Sequence, residues 1–190
     1  MGLIQTEALY APLKEKKLGS VAWTAEEAVA PDDDGIMAAT ATKTSEQTIT
    51  EFEAQPPCAR ALTVKSTGTA GDIAAKAIVI YGTDINDQPI SESITPTADT
   101  AINATTTRAF KSVSKVVIGK MDGTGANIKI GWADKYGLPF VSDGEILMYS
   151  LENGSVATAA TITANAELAK NLVAFNTTSN GKTREIIVLA

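Results

Sequence analysis

The chain has 190 residues, 44% hydrophobic and 20% charged, which is enough for one domain with a sizeable core. A net charge of −6 and a pI near 4.7, with no local Lys/Arg stripe, give no basic field for phosphates and argue against DNA or RNA as a direct partner. Histidine is absent and Cys58 stands alone, which removes an intramolecular disulfide, the usual zinc constellations and the commonest general base.

Residues 1–18 scatter Leu3, Ile4, Leu9, Tyr10, Leu13 and Leu18 around a basic cluster of Lys14, Lys16 and Lys17. Pro12 interrupts any helix begun near Thr6, and so short a segment cannot bury its apolar side chains alone. We expect an arm that finds its apolar partner on another chain; the plainer alternative is a frayed terminus. No export signal and no run of about 18 apolar residues is present, so a soluble chain without a membrane partner is expected. Thr24, Glu26 and Glu27 predict a short helix over 24–29, stopped by Pro31. Asp32-Asp33-Asp34-Gly35 reads as a solvated turn and residues 38–44 as linker. The expected division is an extended N-terminal arm and linker over 1–44 and a β-sandwich domain over 45–190.

From Ser45 the pattern turns to strands. Short strands are expected over 48–52 and 61–65, then a hairpin whose first arm, 77–81, is apolar throughout and therefore central. Its second arm alternates Ile90, Glu92 and Ile94 with Ser91, Ser93 and Thr95 and lies nearer an edge. The reversal between them, 82–89, is rich in Gly, Asp, Asn and Pro. Residues 95–107 read as an exposed Thr/Ala-rich loop, and 110–118 as one strand with a bulge, because Phe110 and Val113 fall on opposite parities. Ile128, Ile130 and Trp132 alternate cleanly after the turn at 122–125. Two extended segments flank Asn153-Gly154, a hairpin-turn pair; loop is expected over 164–172, and the apolar 184–190 reads as a mid-sheet strand. About eight short strands with almost no helix predict an all-β antiparallel sandwich, Ig-like or jelly-roll Greek key.

Reactive apparatus is sparse. Cys58 follows Pro56-Pro57 and reads as a plain half-buried thiol. The glycine-rich stretches at 68–72 and 119–125 lack the following helix that would aim amides at an anion, so both are turns. Asp84, Asn86 and Gln88 alternate as in a calcium loop, but Pro89 stands where the sharp-turn glycine belongs and no bidentate Glu follows. Glu92 shares a strand face with Ile90 and Ile94, and a buried carboxylate needs a cation, so a structural ion pair with Arg60 or Arg108 is expected. No catalytic, metal or cofactor site is assigned.

The order Arg60-Ala61-Leu62-Thr63-Val64, Val79-Ile80-Tyr81-Gly82-Thr83-Asp84, Pro89-Ile90-Ser91-Glu92-Ser93-Ile94 and Phe110-Lys111-Ser112-Val113 continues to Ile130-Gly131-Trp132-Ala133-Asp134-Lys135-Tyr136-Gly137-Leu138-Pro139. In that order of strands and turns, over residues 58–140, the chain resembles tailed-phage virion proteins that serve as head decoration or cement; 178–188 fits more loosely, and 1–45 lies outside the likeness. The resemblance implies a sandwich on the outer capsid surface, often trimeric, made in the host cytoplasm. It further implies that the chain binds the major capsid protein by surface contact and stabilises the capsid without chemistry. The alternative reading is a tail- or fibre-associated virion protein or a carbohydrate-binding module, for which aromatic platforms are expected.

Overall fold

Strand β9 (Ala126–Gly137) is the spine that two hydrophobic cores share in the computed structural model, which describes residues 18–142, 146–157 and 160–189. One edge of β9 pairs with β4 (Arg60–Gly68), which pairs in turn with β7 (Asn103–Phe110). Its other edge takes β2 (Asp32–Ala41) along the first half and β13 (Leu172–Ala174), followed by β12 (Thr161–Thr163), at the end. A second sheet runs in the order β3 (Gln47–Ile49), β8 (Ser112–Ile118), β5 (Ile78–Thr83), β6 (Pro89–Ile94). The third runs β1 (Leu18–Trp23), β14 (Arg184–Leu189), β10 (Ile146–Glu152), β11 (Ser155–Val156). Every pairing is antiparallel, so the chain is all-β, with its sheets packed together as in a sandwich.

Position along β9 divides the interior: its first half serves one core and its end the other, from residues of the same parity. Ala126, Ile128 and Ile130 enter the larger core with Ile36, Leu62 and Val64, facing Ile78, Ile80, Val116 and Ile118 of the second sheet. Tyr136 and the following Leu138 enter the smaller core, against Trp23, Val173, Phe175, Ile186 and Val188. Each fully buried Ile, Leu or Val contributes about 1.5–3 kcal/mol.

Several expected elements are present. β5 and β6 form the hairpin in the register Ile78↔Ile94 to Thr83↔Pro89, with β5 interior and β6 at the edge. β14 lies mid-sheet. Asn153 and Gly154 both have positive φ, 51° and 73°, as a two-residue type I′ turn requires. Residues 164–171 are loop apart from a single 3-10 turn, Leu168–Lys170, and Leu172 opens β13.

Other expectations are corrected. The arm and linker over 1–44 hold at most for 1–17, which lie outside the described residues, because β1 and β2 are integral strands. The helix over 24–29 is one turn, closed by the Ala28 N–H on the Thr24 carbonyl at 2.9 Å. Its capping box is complete: the Thr24 hydroxyl accepts from the Glu27 amide at 3.3 Å, and the Glu27 carboxylate from the Thr24 amide at 2.8 Å. The loop over 95–107 gives way at Asn103 to β7, whose three consecutive β-branched threonines, Thr105, Thr106 and Thr107, suit a strand. Residues 110–118 are not one strand, since β7 ends at Phe110 in the first sheet and β8 starts at Ser112 in the second, with a corner at Lys111 held by its N–H on the Thr83 carbonyl at 2.8 Å. The expected bulge is present in β8, where pairing with β5 jumps from Tyr81↔Lys115 to Gly82↔Val113 and so puts Val113 out of parity with Val116 and Ile118.

Candidate interaction surface

The third sheet turns an apolar face to solvent. Ile186 and Val188 of β14 point into the smaller core, so Ile187 and Glu185 point away from it. Register puts Tyr149 and Ser20 beside Ile187, and Leu151 and Ala22 beside Glu185, with Val156 next to Leu151. Tyr149 is 51% exposed and Val156 70%. Leu151 and Ile187 are half-buried, and Glu185 is the charged residue among these positions.

A bulge builds this face. Pairing jumps from Leu147↔Val188 to Tyr149↔Ile187, leaving Met148 as an extra residue without a partner opposite. Leu147 packs on the core, and the inserted residue resets parity so that Tyr149 points out and Ser150 in. Met148 is itself 45% exposed. The strand therefore shows two consecutive large side chains to solvent.

Beneath this face the sheet is held by three aromatic rings bracketed by two buried arginines. Trp23, Tyr136 and Phe175 have ring centroids 5.1, 5.8 and 5.7 Å apart. The Arg60 guanidinium lies 4.7 Å from the Tyr136 ring and that of Arg184 lies 5.1 Å from Phe175. Arg60 Nε donates to the Ala133 carbonyl at 2.8 Å and Nη1 to that of Val29 at 3.0 Å, and its charge faces Asp134 at 3.4 Å. Arg184 faces Glu152 at 2.9 Å and donates to the Thr177 hydroxyl at 2.7 Å and the Thr178 carbonyl at 3.0 Å. Asp134 also accepts the Ser179 amide at 2.8 Å, and the Tyr136 and Ser179 hydroxyls bond each other. Cations buried this deeply need such partners, and Arg184 Nε is the one guanidinium nitrogen of the two arginines without a hydrogen bond among the described residues.

The expected site residues fall in different places. Leu3, Ile4, Leu9, Tyr10 and Leu13 lie outside the described residues. Leu18 is corrected from arm to strand, since it opens β1 opposite Leu189. The ion pair of Glu92 with Arg60 or Arg108 is also corrected. Arg60 pairs with Asp134, and the Arg108 guanidinium pairs with Glu167. Glu92 accepts backbone N–H groups of Thr107 at 2.7 Å and Arg108 at 2.9 Å. It sits half-buried on an edge strand, where amide donors suffice. Arg184, Asp134, Glu167, Tyr149 and Val156 escaped sequence reasoning; a lone Arg before the last apolar run was the one available hint.

Cys58 lines a cleft of about 560 Å³ with Trp23, Pro57, Ile85, Lys111 and Pro139. Burial pushes its thiol up to about 12 against the pull of Arg60, with Glu27 adding to the rise, so it stays protonated at neutral pH. In the 82–89 reversal Asp84 spends one carboxylate oxygen on the amides of Asn86 and Gln88, at 2.8 and 2.9 Å. Asp87 pairs with Lys111 at 2.8 Å, so these carboxylates hold the turn. No helix among the described residues is long and apolar enough to cross a membrane. Comparison with known protein families, curated proteins and solved structures finds no match.

Proposed function

We propose that this chain is a structural virion protein of the head-decoration or cement kind. It coats the outer surface of a tailed-phage capsid as a homotrimer, contacts the major capsid protein and braces the shell by bridging capsid subunits, without catalysis. The observation that carries the reading is the apolar outer face of the third sheet, an area that gains free energy when another protein covers it. A net charge of −6 suits the outside of a particle better than a wall facing packed DNA. A protonated Cys58 and ion pairs committed to holding strands together fit a scaffold that does no chemistry.

The carbohydrate-binding alternative is disfavoured by the aromatic side chains. Trp23 is core, the Trp132 indole N–H is committed to the Ala30 carbonyl at 3.0 Å, and Tyr149 is the exposed aromatic among the described residues. Fractionation of phage particles tests the proposal. The chain is expected on tail-less heads at the copy number of a capsid lattice position; recovery with tails alone transfers it to the tail or fibre.

A further inference from the structure

We infer that the outer face of the third sheet, around Tyr149, Leu151, Val156 and Ile187, seats the N-terminal segment, residues 1–17, of a second copy of this chain. This deepens the proposed function and rests on its homo-oligomer alone. The segment carries Leu3, Ile4, Leu9, Tyr10 and Leu13, and it joins the described chain at Leu18, the first residue of β1, on the outermost strand of this same sheet. Apolar segment and apolar face therefore meet at one edge of the molecule.

Length and direction favour a neighbour over the chain's own face. Seventeen extended residues reach roughly 55 Å, whereas four strands span roughly 14 Å. β1 runs from Leu18, opposite Leu189, to Trp23, opposite Arg184, and Leu151 and Val156 lie toward the Arg184 end. To cover them from the same chain, the segment must reverse immediately before β1. Residues 14–17 are Lys14-Glu15-Lys16-Lys17, without the Gly, Asn, Asp, Ser or Pro that a tight reversal uses. A course outward to another copy needs no such reversal, and there the basic cluster would complement Glu185. Passed from each copy to the next, the contact closes a ring such as the proposed trimer.

The test uses the full chain with Cys58→Ala. Leu9→Cys or Tyr10→Cys, which cover both parities of an extended segment, is mixed with a separate Val156→Cys chain under mild oxidation, and disulfide-linked peptides are mapped by mass spectrometry. A link between the two chains is expected. Val156→Asp, at a position 70% exposed, is expected to leave thermal unfolding unchanged and to weaken self-association in sedimentation by at least about tenfold. A link that forms only when both cysteines share one chain overturns the inference, as does association untouched by Val156→Asp. Head binding is assayed separately, so loss of the interchain link with binding retained defeats this inference and leaves the capsid reading standing.

Discussion

The Glu92 carboxylate accepts the Arg108 backbone amide at 2.9 Å, and the Arg108 guanidinium donates to the carbonyl of the preceding residue of that strand, Ser91, at 2.9 Å. The cause is a bulge in β7. Pairing with β4 jumps from Ala61↔Ala109 to Thr63↔Thr105, and the Thr106 hydroxyl accepts the Leu62 amide that a regular ladder would have used, at 2.8 Å. Glu92 takes the two amides displaced by that bulge, those of Thr107 and Arg108, and so joins the edge of the second sheet to the edge of the first.

Glu92→Ala is therefore expected to cost about 1–2 kcal/mol, the lower part of the range for bonds to a charged acceptor, since Thr107 is exposed to competing water. Thermal unfolding should show Tm lower by roughly 2–8 °C, with Glu92→Gln recovering part of the loss through its one remaining acceptor oxygen. An unchanged Tm in Glu92→Ala would dismiss the carboxylate as a link between the sheets.

The Arg108 guanidinium also fixes Glu167, whose carboxyl is lowered from 4.5 to about 2, chiefly by the hydrogen bond from Arg108 and then by that from Lys170. A carboxyl depressed in the folded state contributes stability that is complete above the unfolded value and is lost as pH falls from about 4.5 toward 2. Glu167 is 38% exposed, so screening limits the contribution to about 1 kcal/mol or less. Glu167→Gln should unfold a few degrees below the parent at pH 7, with the gap closing steadily between pH 4.5 and 2.5. A gap independent of pH would assign the effect to packing.

Cys58 gives a chemical test of the smaller core's edge. With its thiol near 12, largely through burial, the reactive thiolate is scarce at pH 8. Alkylation by iodoacetamide at pH 8 should run at least about a hundredfold slower than for a free cysteine with a pKa near 8.5, and should become fast in denaturant. Rapid labelling of the native chain would place the thiol in an open, electropositive setting instead.

The hairpin of β5 and β6 and the buried last strand were legible because alternation, β-branched residues and turn formers agree there. β2 was not, because Asp32-Asp33-Asp34-Gly35 and the small residues after it carry no apolar alternation of their own. What holds β2 is close approach to β9: a Cβ on Gly131 would stand 1.8 Å from the Asp32 carbonyl oxygen, and one on Gly35 2.5 Å from the Trp132 ring. Such a fit depends on two segments about a hundred residues apart. The arginines show the same limit. Burial demanded carboxylate partners, but Asp134 and Glu167 lie 74 and 59 positions away from Arg60 and Arg108. The interaction face was hidden because the extra residue at Met148 shifts the parity that a reader of β10 would count.

The boundary at Leu18 can be read by truncation. Removing residues 1–17 takes away no described strand, so the remaining chain should unfold cooperatively with Tm within a few degrees of the parent. Removing 1–23 also deletes β1, which covers one edge of β14, and Trp23, which is 5% exposed between Tyr136 and Phe175. Losing one buried Trp side chain alone costs about 3–5 kcal/mol, a large share of the 5–15 kcal/mol that holds a typical domain. Trp23→Ala in the full chain isolates that term and is expected to lower Tm by roughly 6–20 °C. Equal Tm for the 1–17 and 1–23 deletions would mean that β1 adds nothing to the domain, and would return residues 18–23 to the arm.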